Sequence, residues 1–166
     1  MFSIIMKMKL VKNIIGIFIV VLLTILPKGE AQYSINERLS GWNQQPIGIE
    51  SNGKISKINT YIADTQSKRK KGLMHVESMP ENAGMLFVFD PPRTVSMWMK
   101  NTLIELDIIF IDQDQKIIKI HKNAQPHNLE SISSELAVKW VVEINGKASD
   151  LLGIKPGDQL IFQKAD

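Results

Sequence analysis

The 166-residue chain contains no cysteine. That absence excludes disulfide staples, thiolate zinc sites, a cysteine nucleophile and lipid attachment through an N-terminal cysteine. Histidine is nearly as scarce, and His75, His121 and His127 are spaced in no familiar zinc pattern. The ten glycines are dispersed, and none falls in a Gly-x-Gly-x-x-Gly or Gly-x-Ser-x-Gly run. Neither a phosphate-cradling loop nor a nucleophile elbow is therefore expected, and no cofactor is implied.

An excess of one charge is also missing from most of the chain. The net charge of +3 resides in the first 31 residues, where Lys7, Lys9, Lys12 and Lys28 face only Glu30, so the remainder is formally neutral. A nucleic-acid binder carries a basic stripe that replaces phosphate counterions. The one local candidate, Lys68-Arg69-Lys70-Lys71, would point around most of a helix and reads as a solvated face, so no nucleic-acid partner is expected.

What is present begins with export chemistry. A positive segment precedes an apolar run, Ile14 to Leu26, broken only by Gly16 and Thr24; Pro27 closes it, and Gly29 and Ala31 are small residues where a signal peptidase inspects. Residues 1–31 read as a signal peptide cleaved between Ala31 and Gln32. At ~1.5 Å per residue the run spans about 20 Å of helix, short of a ~30 Å hydrocarbon core, so contact with the membrane is transient. The product is expected in the periplasm or the extracellular space. With 44% hydrophobic and 22% charged residues, the chain has the composition of a folded protein rather than a disordered one.

Residues 32–53 are polar, with Gly41, Pro46, Gly48 and Gly53 spaced through them, and read as a flexible arm or linker. Residues 54–166 read as a single domain. Ile55 to Ile62 is β-prone, and Asp64 or Thr65 can cap a short helix from Gln66 to about Met74. Met85–Phe89 reads as a strand stopped by Asp90-Pro91-Pro92, and Val95–Met99 as a second. Leu106–Ile111 is apolar except at Asp107, as in a central strand, and forms a hairpin with Lys116–His121. Residues 123–136 read as a polar loop. Val138–Ile144 is a strand with Trp140, Val142 and Ile144 on one face and Val141 and Glu143 on the other. Ala148–Leu152 is a helical turn, and Lys155–Asp158 turns into a closing strand from Gln159 to Gln163. The fold class is α+β: a compact, mainly antiparallel, curled or barrel-like sheet of about seven strands with about two short helices.

Several stretches then occur in one order: Ile62-Ala63-Asp64-Thr65, Arg69 with Gly72-Leu73-Met74, Gly84 to Phe89, Trp98-Met99-Lys100-Asn101-Thr102, Leu106 to Asp112, and Gly153 to Asp158. Together they resemble the domain of unknown function 192 family over roughly Ile58 to Phe162. The resemblance implies a compact, mainly antiparallel β structure with short helices and a commonly exported protein, but no established activity. Glu105 stands where the family usually has proline, and Met97 where phenylalanine is common.

The sharpest polar cluster is Lys100, Asn101 and Thr102 with Asp107. As a pocket, Lys100 supplies charge, Asn101 and Thr102 orientation, and Asp107 an acceptor or base. As architecture, Asp107 accepts backbone or Asn101 donors and pins a corner, because an unpaired carboxylate in an apolar strand is costly. Glu143 sits inside another strand; beside Asp107 it would form an acid–base pair. Trp98 and Arg69 complete the candidate pocket. Trp42, Trp98 and Trp140 could stack on a sugar if exposed, but the two in strands read as core. No zinc site is expected. Met97 and Met99, on one face of a strand, are the candidate ligands for Cu(I), with core filling as the alternative. The expectation is an exported, non-enzymatic binding or accessory protein of the cell envelope, serving a small ligand or an envelope protein. The alternatives are an envelope hydrolase using Lys100 and Asp107, and Cu(I) binding through methionines.

Overall fold

The computed structural model describes residues 34–163, so the expected signal peptide and its expected cleavage point lie outside the described residues. Among the described residues, no helix is long and apolar enough to cross a membrane.

The chain enters through helix α1 (Ile35–Arg38), then strands β1 (Gln44–Ser51) and β2 (Lys54–Ala63), helix α2 (Gln66–Lys71), and strands β3 (Ala83–Arg93) and β4 (Ser96–Met97). Strands β5 (Leu106–Ile111), β6 (Ile117–Ala124), β7 (Ile132–Ser133) and β8 (Val138–Asn145) come next, and helix α3 (Ala148–Leu152) and strand β9 (Gln159–Phe162) complete the domain. Seven strands form one sheet in the order β6-β5-β8-β3-β2-β1-β9, and β4 pairs with β7 apart from it. The edges of the large sheet approach each other: Lys116 bridges to Gln159, and the Leu160 N–H donates to the Gln115 carbonyl at 2.8 Å. The sheet is thereby curled.

The sheet is mainly antiparallel, as expected, but mixed rather than purely so, because β2 and β3 run parallel. Parallel neighbours need a crossover, which α2 and residues 72–82 supply. Period-two alternation divides the apolar side chains between two cores, one on each face of the sheet. Met85, Phe87, Ile108, Phe110 and Val141 belong to one. Ile47, Ile49, Ile109, Ile111 and Val142 belong to the other.

Residues 34–51 are not an arm. Ile35, Leu39, Ile47 and Ile49 are fully buried, and β1 is hydrogen-bonded to β2 on one side and β9 on the other. Ser34 and Glu37 form a capping box that starts α1. Gly48 is a packing residue here: a Cβ at that position would lie 2.7 Å from the Ile55 side chain. Three further boundaries move. β3 continues through Asp90-Pro91-Pro92 with a register shift between Val88 and Arg93; β6 extends to Ala124; and the loop from 123 to 136 contains β7.

Candidate functional site

One wall of a cleft is built by α2. Thr65 caps it, its Oγ1 accepting the Lys68 N–H at 3.2 Å, and the basic residues after it sit favourably in the last turn. Gly72, with φ of 48°, ends the helix where a Cβ would sit 3.4 Å from the Phe87 ring. Arg69 is held by backbone: its Nη1 donates to the carbonyls of Asp64 (2.7 Å) and Val88 (2.8 Å), and the guanidinium lies 5.3 Å from the centre of the Phe89 ring. Burial, and then the nearby Arg93 charge, lower the Arg69 pKa.

The opposite wall is the corner from Ser96 to Thr102. Met99 is fully buried and anchors it, while Asn101 takes a left-handed conformation with φ of 55°, which asparagine tolerates. The Asn101 carbonyl accepts the His75 N–H at 2.8 Å, tying this corner to the segment after α2. Trp98 is turned outward and 47% exposed, with the Lys100 ammonium 5.6 Å from its ring centre.

Phe87 and Glu143 form the floor. Glu143 lies in β8 opposite Met85 of β3 and Ile108 of β5. Gly84 lets β3 and β8 run close at this point, since a Cβ on it would fall 2.5 Å from the Glu143 carbonyl oxygen. Glu143 is 4% exposed, and burial pushes its carboxyl up to about 8. The recess above it has a volume of about 60 Å³ and is lined by Arg69, Trp98, Lys100, Thr102 and Glu143. It adjoins a wider groove of about 510 Å³ along Phe87, Phe89, Arg93, Met97 and Trp98.

Residues 47–162 match the DUF192 family model, described as an uncharacterized ACR. This chain belongs to the DUF192 family. Among solved structures, a protein from Sinorhizobium meliloti 1021, described as a candidate transcription regulator, is 37% identical, with 73% of this chain and 95% of that one covered at a TM-score of 0.72. A protein of unknown function from Novosphingobium aromaticivorans DSM 12444 is 34% identical, with 74% of this chain and 87% of that one covered at a TM-score of 0.72. No curated protein matches this chain.

In this DUF192 domain the sequence-nominated residues divide. Arg69, Trp98, Lys100, Thr102 and Glu143 line the recess. Asn101 shapes the corner through its backbone. Asp107 lies on the other face of the sheet and is fully buried. Its Oδ1 accepts the N–H groups of Asn123 (2.9 Å) and Lys147 (3.2 Å), and its Oδ2 accepts the Ser149 N–H (2.9 Å) and hydroxyl. Asp107 thus fastens β6 and the start of α3 to β5, and shares no pocket with Lys100 or Glu143. Neither the hydrolase pair nor the acid–base pair is assembled. The two candidate Cu(I) ligands also part: Met97 lines the recess, whereas Met99 is core. Trp98, read as pocket or as core, is exposed just beyond the end of β4 and lines the recess. The basic run on α2 is not simply a solvated face, since Arg69, Lys70 and Lys71 border the recess. Phe89 and Arg93 lie beyond what the sequence pattern points to; they reach the groove because β3 continues past the prolines, for which the sequence carries no local signal.

Proposed function

We propose that this DUF192 protein is an exported, non-enzymatic binding protein whose cleft between α2 and the 96–102 corner takes a small organic anion with an apolar body. Convergence carries this reading: Arg69 from α2, Trp98, Lys100 and Thr102 from the corner, and Glu143 from β8 meet at one recess. Cations at a low-dielectric rim attract an anion. The adjoining groove of about 510 Å³ supplies aromatic and thioether surface, and its size falls within the range of roughly 300–1,000 Å³ usual for ligand sites. Export rests on the leader, with Lys7, Lys9 and Lys12 ahead of Ile14 to Leu26. The regulator description of the Sinorhizobium relative gains no support from charge, because the chain beyond residue 31 is formally neutral and its basic cluster borders the recess.

Titration with apolar carboxylates (3-phenylpropionate, isovalerate, octanoate), followed by tryptophan emission, tests the binding claim. Saturable responses are expected, weaker for the matching neutral amides and shifted to about tenfold higher concentration in a well-folded Lys100→Met variant. Equal responses to acid and amide, or none at millimolar acid, would refute it. Export is tested by the mass of the protein recovered from cells: it should begin at Gln32 and lie outside the cytoplasm, and intact Met1 in the soluble cytoplasmic fraction would contradict this.

A further inference from the structure

Resting on the pocket reading, we infer that the ligand carries an amine as well as an acidic group, as an α-amino acid with an apolar side chain does, and that the amine sits on Glu143. Among the described residues, the Glu143 carboxyl makes neither a hydrogen bond nor an ion pair with any protein group, although the residue is 4% exposed and lines the recess. A buried carboxyl is costly without a partner, and one that opens only onto a ligand recess is best partnered by a donor on the ligand. The residues paired with Glu143 across β3 and β5 are Met85 and Ile108, which neither titrate nor donate from their side chains, and the Thr102 hydroxyl and Lys100 ammonium that line the same recess make no hydrogen bond to its carboxyl.

The charged groups that border the recess are Arg69, Lys70 and Lys71 from the α2 wall and Lys100 from the corner, all cationic. Arg69 is held in place by its two carbonyl acceptors, so its position is set before a ligand arrives. The site therefore presents an acid at its floor, cations at its rim and an apolar groove alongside. An amine, a carboxylate and an apolar side chain radiating from one carbon match those three features. The recess of about 60 Å³ has room for about two water-sized groups at ~30 Å³ each, enough for the amine and its carbon, with the side chain left to the groove.

Such a ligand forms a charge-assisted pair with Glu143, which must be ionised to accept it. At pH 7, where burial keeps the empty site's carboxyl largely protonated, binding is accompanied by release of a proton to solvent. Affinity then rises with pH up to about 8 and levels off, until the ligand's own amine deprotonates.

Isothermal titration of the purified protein with each standard amino acid, its deaminated acid and its N-acetyl derivative tests the assignment. At least one apolar amino acid is expected to bind on the order of a hundredfold tighter than its deaminated and acetylated analogues. The heat should vary with buffer ionisation enthalpy in the sense of proton release, and Glu143→Gln should erase the preference while retaining weak binding of the deaminated acid. If deaminated acids bind as tightly as amino acids, the amine assignment falls and the anion-binding pocket stands. If no probe of any kind binds, both fall.

Discussion

Replacing Glu143 by glutamine keeps the size and shape of a side chain at the floor of the recess while removing its ability to ionise. In the native protein burial raises this carboxyl from 4.5 to about 8, so the folded state holds a proton that the unfolded chain releases. The native pKa lies above the unfolded one. The proton-linked contribution is therefore fully present below pH 4.5, is lost as pH rises towards 8, and is constant above that. At about 1.4 kcal/mol per pH unit of separation, wild type should lose about 2–3 kcal/mol relative to Glu143→Gln between pH 5 and pH 7, and about 1 kcal/mol more by pH 9. Against the ~5–15 kcal/mol stability of a typical domain this is a large effect. Urea unfolding of both proteins at the three pH values measures it, and the other titrating groups cancel in the difference. Stability differences that stay constant from pH 5 to 9, or that change in the opposite sense, would refute the reasoning.

Three other substitutions separate architecture from site. Asp107→Ala strands the Asn123, Lys147 and Ser149 N–H groups and should cost about 3–5 kcal/mol; a thermal midpoint lowered by only a degree or two would mean those donors find other partners. Gly84→Ala drives a Cβ to 2.5 Å from the Glu143 carbonyl oxygen and should cost at least about 2 kcal/mol in urea unfolding, and a neutral result would show that β3 and β8 can part without penalty. Trp98→Ala and Lys100→Met, at exposed positions, should change stability by no more than about 0.5 kcal/mol while lowering the affinity for apolar carboxylates about tenfold. Unchanged affinity in both would remove the corner from the site.

Local periodicity made much of the fold legible. The run from Leu106 to Ile111 is a central strand buried along its length, and in β8 the alternation that sets Val141 and Glu143 against Val142 and Ile144 is the division the two cores show. Elsewhere the deciding contacts are distant in sequence. β1 shows only Ile47 and Ile49 in alternation, with Pro46 before them and Gly48 between them, so its local pattern reads as loop until β2 and β9 pair with it. The donors that satisfy Asp107 lie 16, 40 and 42 residues away, whereas Lys100 to Thr102, close in sequence, face the other side of the sheet. Motif order brought Arg69, Trp98 and Lys100 into one candidate set, and their convergence with Glu143 depends on the parallel pairing of β2 with β3, which carries α2 across that face.

The most direct test of the ligand cleft is chemical-shift mapping on isotope-labelled protein as an apolar amino acid and its deaminated acid are titrated in. The largest shifts should fall on the Trp98 indole N–H and the amides of Arg69, Thr102 and Glu143, with Leu151 on α3 unmoved. Shifts centred on α3, or no saturable shift in the cleft with either compound, would contradict the account.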